Sequence, residues 1–285
     1  MIDLMCHLAS LLPFEAMQAR FMQQALTALV LLAPMTALLG VQVISFRMAF
    51  FSDAISHSAF AGVALGLMAG LHPHLTMPLF GVLVGLAVIS VSRHSSLSAD
   101  TVTGVLFSAV VAFGLAVVSR HNTVARDVQQ FLYGDILTVG EADIEWLMIL
   151  LILFVVFQIF ACNRLLYIGL HPVVARAHGV AVARWQYLFA VLLALVVMFS
   201  VWGVGVLLVT ALLIVPAAAA RNVASTAGGM YWWAFLVSLS SSAAGLILSA
   251  QPWMGTATGA TIILIACAWF AASAVWAALR GRRRD

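Results

Sequence analysis

Long apolar runs separated by short polar breaks dominate the chain. A helix needs about 20 apolar residues to cross a hydrocarbon core. Runs of that kind fall at approximately 21–46, 50–71, 75–92, 101–119, 144–162, 186–202, 204–221, 231–250 and 256–279. The sixth and seventh are short and divided only by Trp202-Gly203-Val204-Gly205, so they read as two spans or as one broken helix. The pattern predicts an all-α, polytopic membrane protein of about 8–9 transmembrane helices. No long hydrophilic stretch interrupts it, so 1–285 reads as a single transmembrane domain. Residues 1–20, with Asp3, His7 and Glu15 among apolar neighbours, read as an interfacial lead-in. They lack a basic n-region and a cleavage site, and are not read as a signal peptide. Residues 163–185 read as a basic inner loop and 280–285 as a basic tail.

Composition excludes the alternatives. Hydrophobic residues make up 64% of the chain and charged residues 8%, against roughly 25% charged in a soluble domain. A soluble enzyme, a disordered chain and a secreted disulfide scaffold are ruled out. Cys6, Cys162 and Cys267 share no short spacing, so no disulfide or thiolate metal site is expected. All thirteen basic residues are Arg. A lysine-free chain has no phosphate-loop lysine and no Schiff-base or general-base lysine. With nine spans, Arg47, Arg93, Arg164, Arg176, Arg184, Arg221, Arg280, Arg282, Arg283 and Arg284 fall on one side. Arg20, Arg120 and Arg126 fall on the other. Arginine excess marks the cytoplasmic face, which puts the N-terminus outside and the C-terminus inside.

Most spans carry no ionisable group; the second carries two. Asp53 and His57 are four apart, about 40° around a helix and about 6 Å along it, and that face includes Ser56. Reckoned from Arg47, His57 lies about 15 Å deep. A charge at that depth needs a partner or a water-filled path. Carboxylate oxygen and imidazole nitrogen on one face form half of a divalent-metal site, for Zn²⁺ or, with more ligands, Mn²⁺ or Fe²⁺. The same pair also suits a proton relay or a structural hydrogen bond between helices. Ala54, Ser58, Gly62, Gly66 and Gly70 form a stripe of small residues at every fourth position, which lets another backbone approach closely, and Gly81 and Gly85 continue the theme in the third span.

Other features bear on a pathway. The outer segment 126–145 mixes apolar pairs with acids and is a candidate re-entrant segment, broken at Gly134 and Gly140. Asp135 would then reach toward the pathway as a third ligand or an entry carboxylate, while Glu141 or Asp143 would cap the fifth helix. His72 and His74 flank Pro73 at the outer end of span two, as a metal-capturing mouth or a solvated turn. Pro216 is expected to break the seventh helix and free the carbonyl of Leu212. In the inner loop, a short helix is expected from Pro172 through Ala175 and Arg176, stopped by Gly179, suited to docking a cytoplasmic partner or to membrane-surface contact.

At these residues the sequence resembles the zinc/manganese ABC importer permeases. Arg47–Ser58 with Gly62-Val63-Ala64-Leu65-Gly66 resembles that family's second-span signature. Leu132-Tyr133-Gly134-Asp135-Ile136-Leu137 resembles its outer Leu-Phe-Gly-Asp segment, Gly205–Ala218 its Pro-containing helix, and 172–180 its ATPase-coupling segment. The matches run in order over 21–279. One stretch departs: Gln251-Pro252-Trp253-Met254-Gly255-Thr256-Ala257-Thr258-Gly259 stands where the family has an acidic residue and Pro. The resemblance implies a type II ABC importer-like permease of the inner membrane, homodimeric, paired with a cytoplasmic ATPase dimer and an extracytoplasmic metal-binding protein. It implies no enzymatic activity and no permanently bound cofactor, with Zn²⁺ (or Mn²⁺ or Fe²⁺) as cargo. Asp53 and His57 then take the metal-coordinating positions, with Asp135 as a motif match. A proton-coupled secondary metal transporter is the alternative. An intramembrane zinc protease is disfavoured, because no H-E-x-x-H is present.

Overall fold

A computed structural model describes residues 15–119 and 136–281. Every element among them is helical. After a 3₁₀ turn at Glu15–Gln18 come α1 (Arg20–Ser45), α2 (Phe51–Met68), α3 (Pro73–His94) and α4 (Ala99–Val118). A second 3₁₀ turn at Ile136–Thr138 precedes α5 (Glu141–Leu170), α6 (Pro172–Ala177), α7 (Val182–Val204), α8 (Val206–Val223), α9 (Ala227–Ser249) and α10 (Thr258–Gly281). Eight of these helices are long and apolar enough to cross a membrane. The remaining long helix is α2, whose Asp53, His57, Ser52, Ser56 and Ser58 lower its hydropathy.

Contacts divide the chain into two compact units. One comprises the described residues up to Val41, Ile136–Ile152 and those from Ala211 on; the other comprises Gln42–Ser119 and Leu153–Thr210. Within the second unit, α2 is wrapped by α3, α4 and α7, and twelve of its eighteen residues are buried. Within the first, α9 packs on α10, and a Cβ at Gly245 would lie 2.6 Å from the Ile262 Cα, so the backbones touch there.

Local chemistry sets the boundaries. The first helix ends in a Schellman motif: Met48 N–H donates to the Val43 carbonyl, and Arg47 takes the left-handed conformation at φ 55° that is normally glycine's. The second ends the same way, Leu71 N–H donating to the Gly66 carbonyl around Gly70 at φ 67°. Gly70 is therefore the stop of α2 and no part of its packing stripe. Ser98 and Thr226 cap α4 and α9 through Thr101 N–H and Gly229 N–H. Asp143 reaches back to the Gly140 N–H, 2.9 Å, as the acid that opens α5. Glu141 instead pairs with Arg20, which sets the starts of α1 and α5 at one end.

Two expectations are corrected, and one left open is decided. The fifth helix runs on to Leu170, so 163–170 is helix and no loop. Its thirty residues rise about 45 Å, more than the ~30 Å hydrocarbon core. The sixth and seventh spans are two helices, parted by Gly205 alone at φ 90°. Pro216 does not break α8: the helix continues through it, and the missing N–H leaves the Leu212 carbonyl without its usual donor. Pro34 and Pro78 are likewise carried inside helices.

Candidate functional site

The second helix starts where the turn at residues 46–50 ends, so Asp53 lies in its first turn. A carboxylate there is favoured by the positive end of the helix dipole. His57 follows one turn later, about 9 Å along the axis from Phe51, less than the depth reckoned from Arg47. Phe51, Ser52, Ala54, Ile55, Ser56, Ser58 and Ala59 are all buried, whereas Asp53, His57 and Phe60 are half-buried. Those three sit at i, i+4 and i+7, one stripe of the helix. The polar pair thus occupies the partly open stripe of an otherwise enclosed helix. Ser56 does not share it: its hydroxyl is fully buried on the packed side.

The fourth helix borders the stripe. The His57 imidazole meets the Phe107 ring edge-on at 5.3 Å, and Phe60 lies against Gly114, where a Cβ would collide with its ring. The small-residue stripe does the expected work on the opposite flank. A Cβ at Gly62 would stand 3.0 Å from the Met77 Cα, and one at Gly66 would collide with the Thr76 side chain. Close approach of α3 is what holds α2 in place. Gly81 admits the Met198 side chain of α7, while Gly85 makes only ordinary contacts.

No group of three or more His, Cys, Asp or Glu side chains converges among the described residues. Asp53 and His57 are two candidate ligands, fewer than a closed metal site uses. Asp135 lies outside the described residues. His72 is the residue preceding α3, and Pro73 starts that helix. His74 lies against the Trp202 ring of α7, ring centroids 3.5 Å apart and tilted by 46°, and both His72 and His74 are exposed.

The opposite end carries the short helix expected in the basic stretch. Pro172 opens α6, and Gly179 at φ 78° closes it, with Val180 N–H donating to the Ala175 carbonyl. Ala175 is buried against Ile168 and Val182, with Phe46, Tyr167 and Trp185 around them. Outward, α6 presents Val173 and Arg176, and Leu170 precedes it, all exposed. A cavity of about 310 Å³ beside it gathers Arg47, Arg93, Pro172 and Gln186. Arg164 lies over the Trp185 ring, 4.8 Å from its centre. Among the described residues of this unit, Arg47 and Arg93 line the cavity beside α6, and Arg176 lies on α6 itself. Sequence reasoning missed two features: the buried Gln42 donates to Gln158 at 2.8 Å between α1 and α5, and the exposed Arg47 holds the left-handed turn. Neither pairing partner nor φ is readable from spacing.

Helices of membrane-spanning length, wrapped around a polar pair, define a polytopic helical membrane protein with a hydrophilic locus inside it. The ABC 3 transport family matches this chain over residues 18–277, and the chain belongs to that family. The high-affinity zinc uptake system membrane protein ZnuB of Haemophilus influenzae is 32% identical over 249 residues, covering 87% of this chain and 95% of that protein. The manganese transport system membrane protein MntC of Halalkalibacterium halodurans is 32% identical over 252 residues, covering 88% and 85%. Among solved structures, PsaBC from Streptococcus pneumoniae in complex with Fab contains a chain with a TM-score of 0.76 and 27% identity, over 96% of this chain and 95% of that one.

Proposed function

We propose that this chain is the permease subunit of an ATP-driven divalent-metal importer, with Zn²⁺ as cargo and Mn²⁺ or Fe²⁺ as the alternative ions. The observation that carries the reading is the Asp53–His57 stripe, a carboxylate and an imidazole left partly open on a helix that is buried elsewhere. Two ligands from one chain suit a transported ion. A closed four-ligand cage would retain it, and a second copy of the chain would contribute a second pair. Asp135 is a further candidate ligand at the outer approach, and His72 and His74 mark the mouth.

Energy must come from outside this chain. Without lysine it has no phosphate-loop lysine, and the relatives' membership of ABC transport systems supports a separate ATPase. The reading has an ATPase dimer dock on α6, whose exposed Leu170–Val173 edge and Arg176 offer an apolar contact with a cation beside it. ATP-driven closure then rearranges the helices and exposes the pair alternately to each side. An extracytoplasmic binding protein delivers the ion. The chain itself is a transport component and no enzyme. It lies in the inner membrane, N-terminus outside and C-terminus inside, as the arginine distribution directs.

The test is uptake of labelled Zn²⁺ and Mn²⁺ by cells carrying Asp53→Asn or His57→Ala, with membrane levels checked by immunoblot. Each change is expected to lower uptake at least about tenfold, the loss corresponding to 1.4 kcal/mol of binding. Undiminished uptake by both would overturn the site. Competition between the two ions in the wild type assigns the cargo.

A further inference from the structure

A second cavity, used by none of the steps above, lies in the unit that contains the C-terminal helices. It encloses about 550 Å³ between the end of α8 (Ala219, Ala220, Val223), the start of α9 (Gly229, Trp233, Val237) and the last turns of α10 from Trp269 to Arg280. Alanines at 219, 220 and 272 leave the space, and Trp233, Trp269 and Trp276 wall it. Most of its polar lining gathers at one end, where Ser225, Thr226 and Arg280 line the mouth, with Ser273 farther in. Trp269 and Arg280 are eleven positions apart on α10, a rise of about 16 Å. Half of a ~30 Å hydrocarbon core is about 15 Å. The groove is therefore about one leaflet deep, mostly apolar along its length and cationic at its rim.

The cationic group at the rim is Arg280, in the last turn of α10. Among the described residues Arg280 makes no hydrogen bond or ion pair. Tryptophan favours the membrane–water boundary, with its ring in the apolar layer. Basic pockets between membrane helices hold anionic lipid head groups. A soluble anion has no use for a groove one leaflet deep, and a neutral lipid has none for the arginine. We propose that this cavity is a binding site for an anionic phospholipid, its phosphate at Arg280 and one acyl chain along Trp233, Trp269 and Trp276. The proposal does not depend on the transport reading.

Native mass spectrometry of the detergent-purified full chain, offered phosphatidylglycerol or phosphatidylcholine of the same acyl composition, tests it. The wild type is expected to retain phosphatidylglycerol about fivefold better, roughly what one arginine contributes near the membrane surface. Arg280→Gln should erase that preference. Ala272→Trp, which fills the groove from an exposed position, should remove the retained lipid altogether. Gel filtration and melting temperature confirm that both variants are folded. Equal retention of the two lipids by the wild type overturns the proposal, as does a preference that survives both substitutions. Conversion of a dimer to monomer by Ala272→Trp with lipid retention unchanged would also overturn it, and would make this face a contact between copies.

Discussion

Asp53 and His57 owe their availability to what surrounds them. Gly62 and Gly66 bring α3 against one flank of α2, and Phe60 seats on Gly114 of α4, so the helix cannot rotate its polar stripe away. This makes the glycines a test of the packing. Gly66→Leu forces a side chain into Thr76 and is expected to destabilise the protein by about 1–3 kcal/mol, the usual cost of overpacking, read as a lowered melting temperature in detergent. An unchanged melting temperature would show that α2 and α3 are not tightly apposed there. Gly179→Ala places a Cβ at φ 78°, at a cost of about 1–2 kcal/mol. Because α6 is six residues long, that change should raise amide exchange locally over 172–180 and leave α2 unaffected. The Asp53–His57 pair was legible from spacing because the period of a helix is fixed. The burial of Ser56 was not, since spacing cannot say which flank a neighbour will cover.

Among the elements, α6 was the most readable and the α5–α6 connection the least. Pro172 and Gly179 are strong start and stop signals whose chemistry is local. The extension of α5 to Leu170 carries Asn163 and Arg164, which look like loop residues. Arg164 is accommodated over the Trp185 ring, a tertiary contact outside any local pattern. The same limit applies to Pro216, where a proline expected to break the helix is carried through it. If α6 docks an ATPase, Val173→Glu places a charge in the middle of an apolar contact and should abolish co-purification of the ATPase subunit, while the permease stays in the membrane. The change lies on an exposed residue, so a folding defect is not expected. Co-purification at the wild-type level would remove α6 from the coupling interface.

At the scale of the molecule, arginine sorting and the helix count supply the frame, and the lysine-free composition constrains the energy source. The packed ends of the second unit agree with the sorting: Arg47 and Arg93 line one cavity with Pro172 and Gln186. The units into which the contacts divide the chain were invisible in sequence, because three of their division points fall inside α1, α5 and α8, where no linker marks them. The central claim is that ATP hydrolysis in a partner drives a metal ion past Asp53 and His57. Reconstituting the permease with its co-purified ATPase in proteoliposomes and following labelled Zn²⁺ tests it most directly, with wild type, Asp53→Asn and His57→Ala compared. The account expects uptake that requires ATP, ignores an imposed pH gradient, and falls at least about tenfold in each variant. Uptake driven by a proton gradient without ATP, or wild-type rates in both variants, would contradict it.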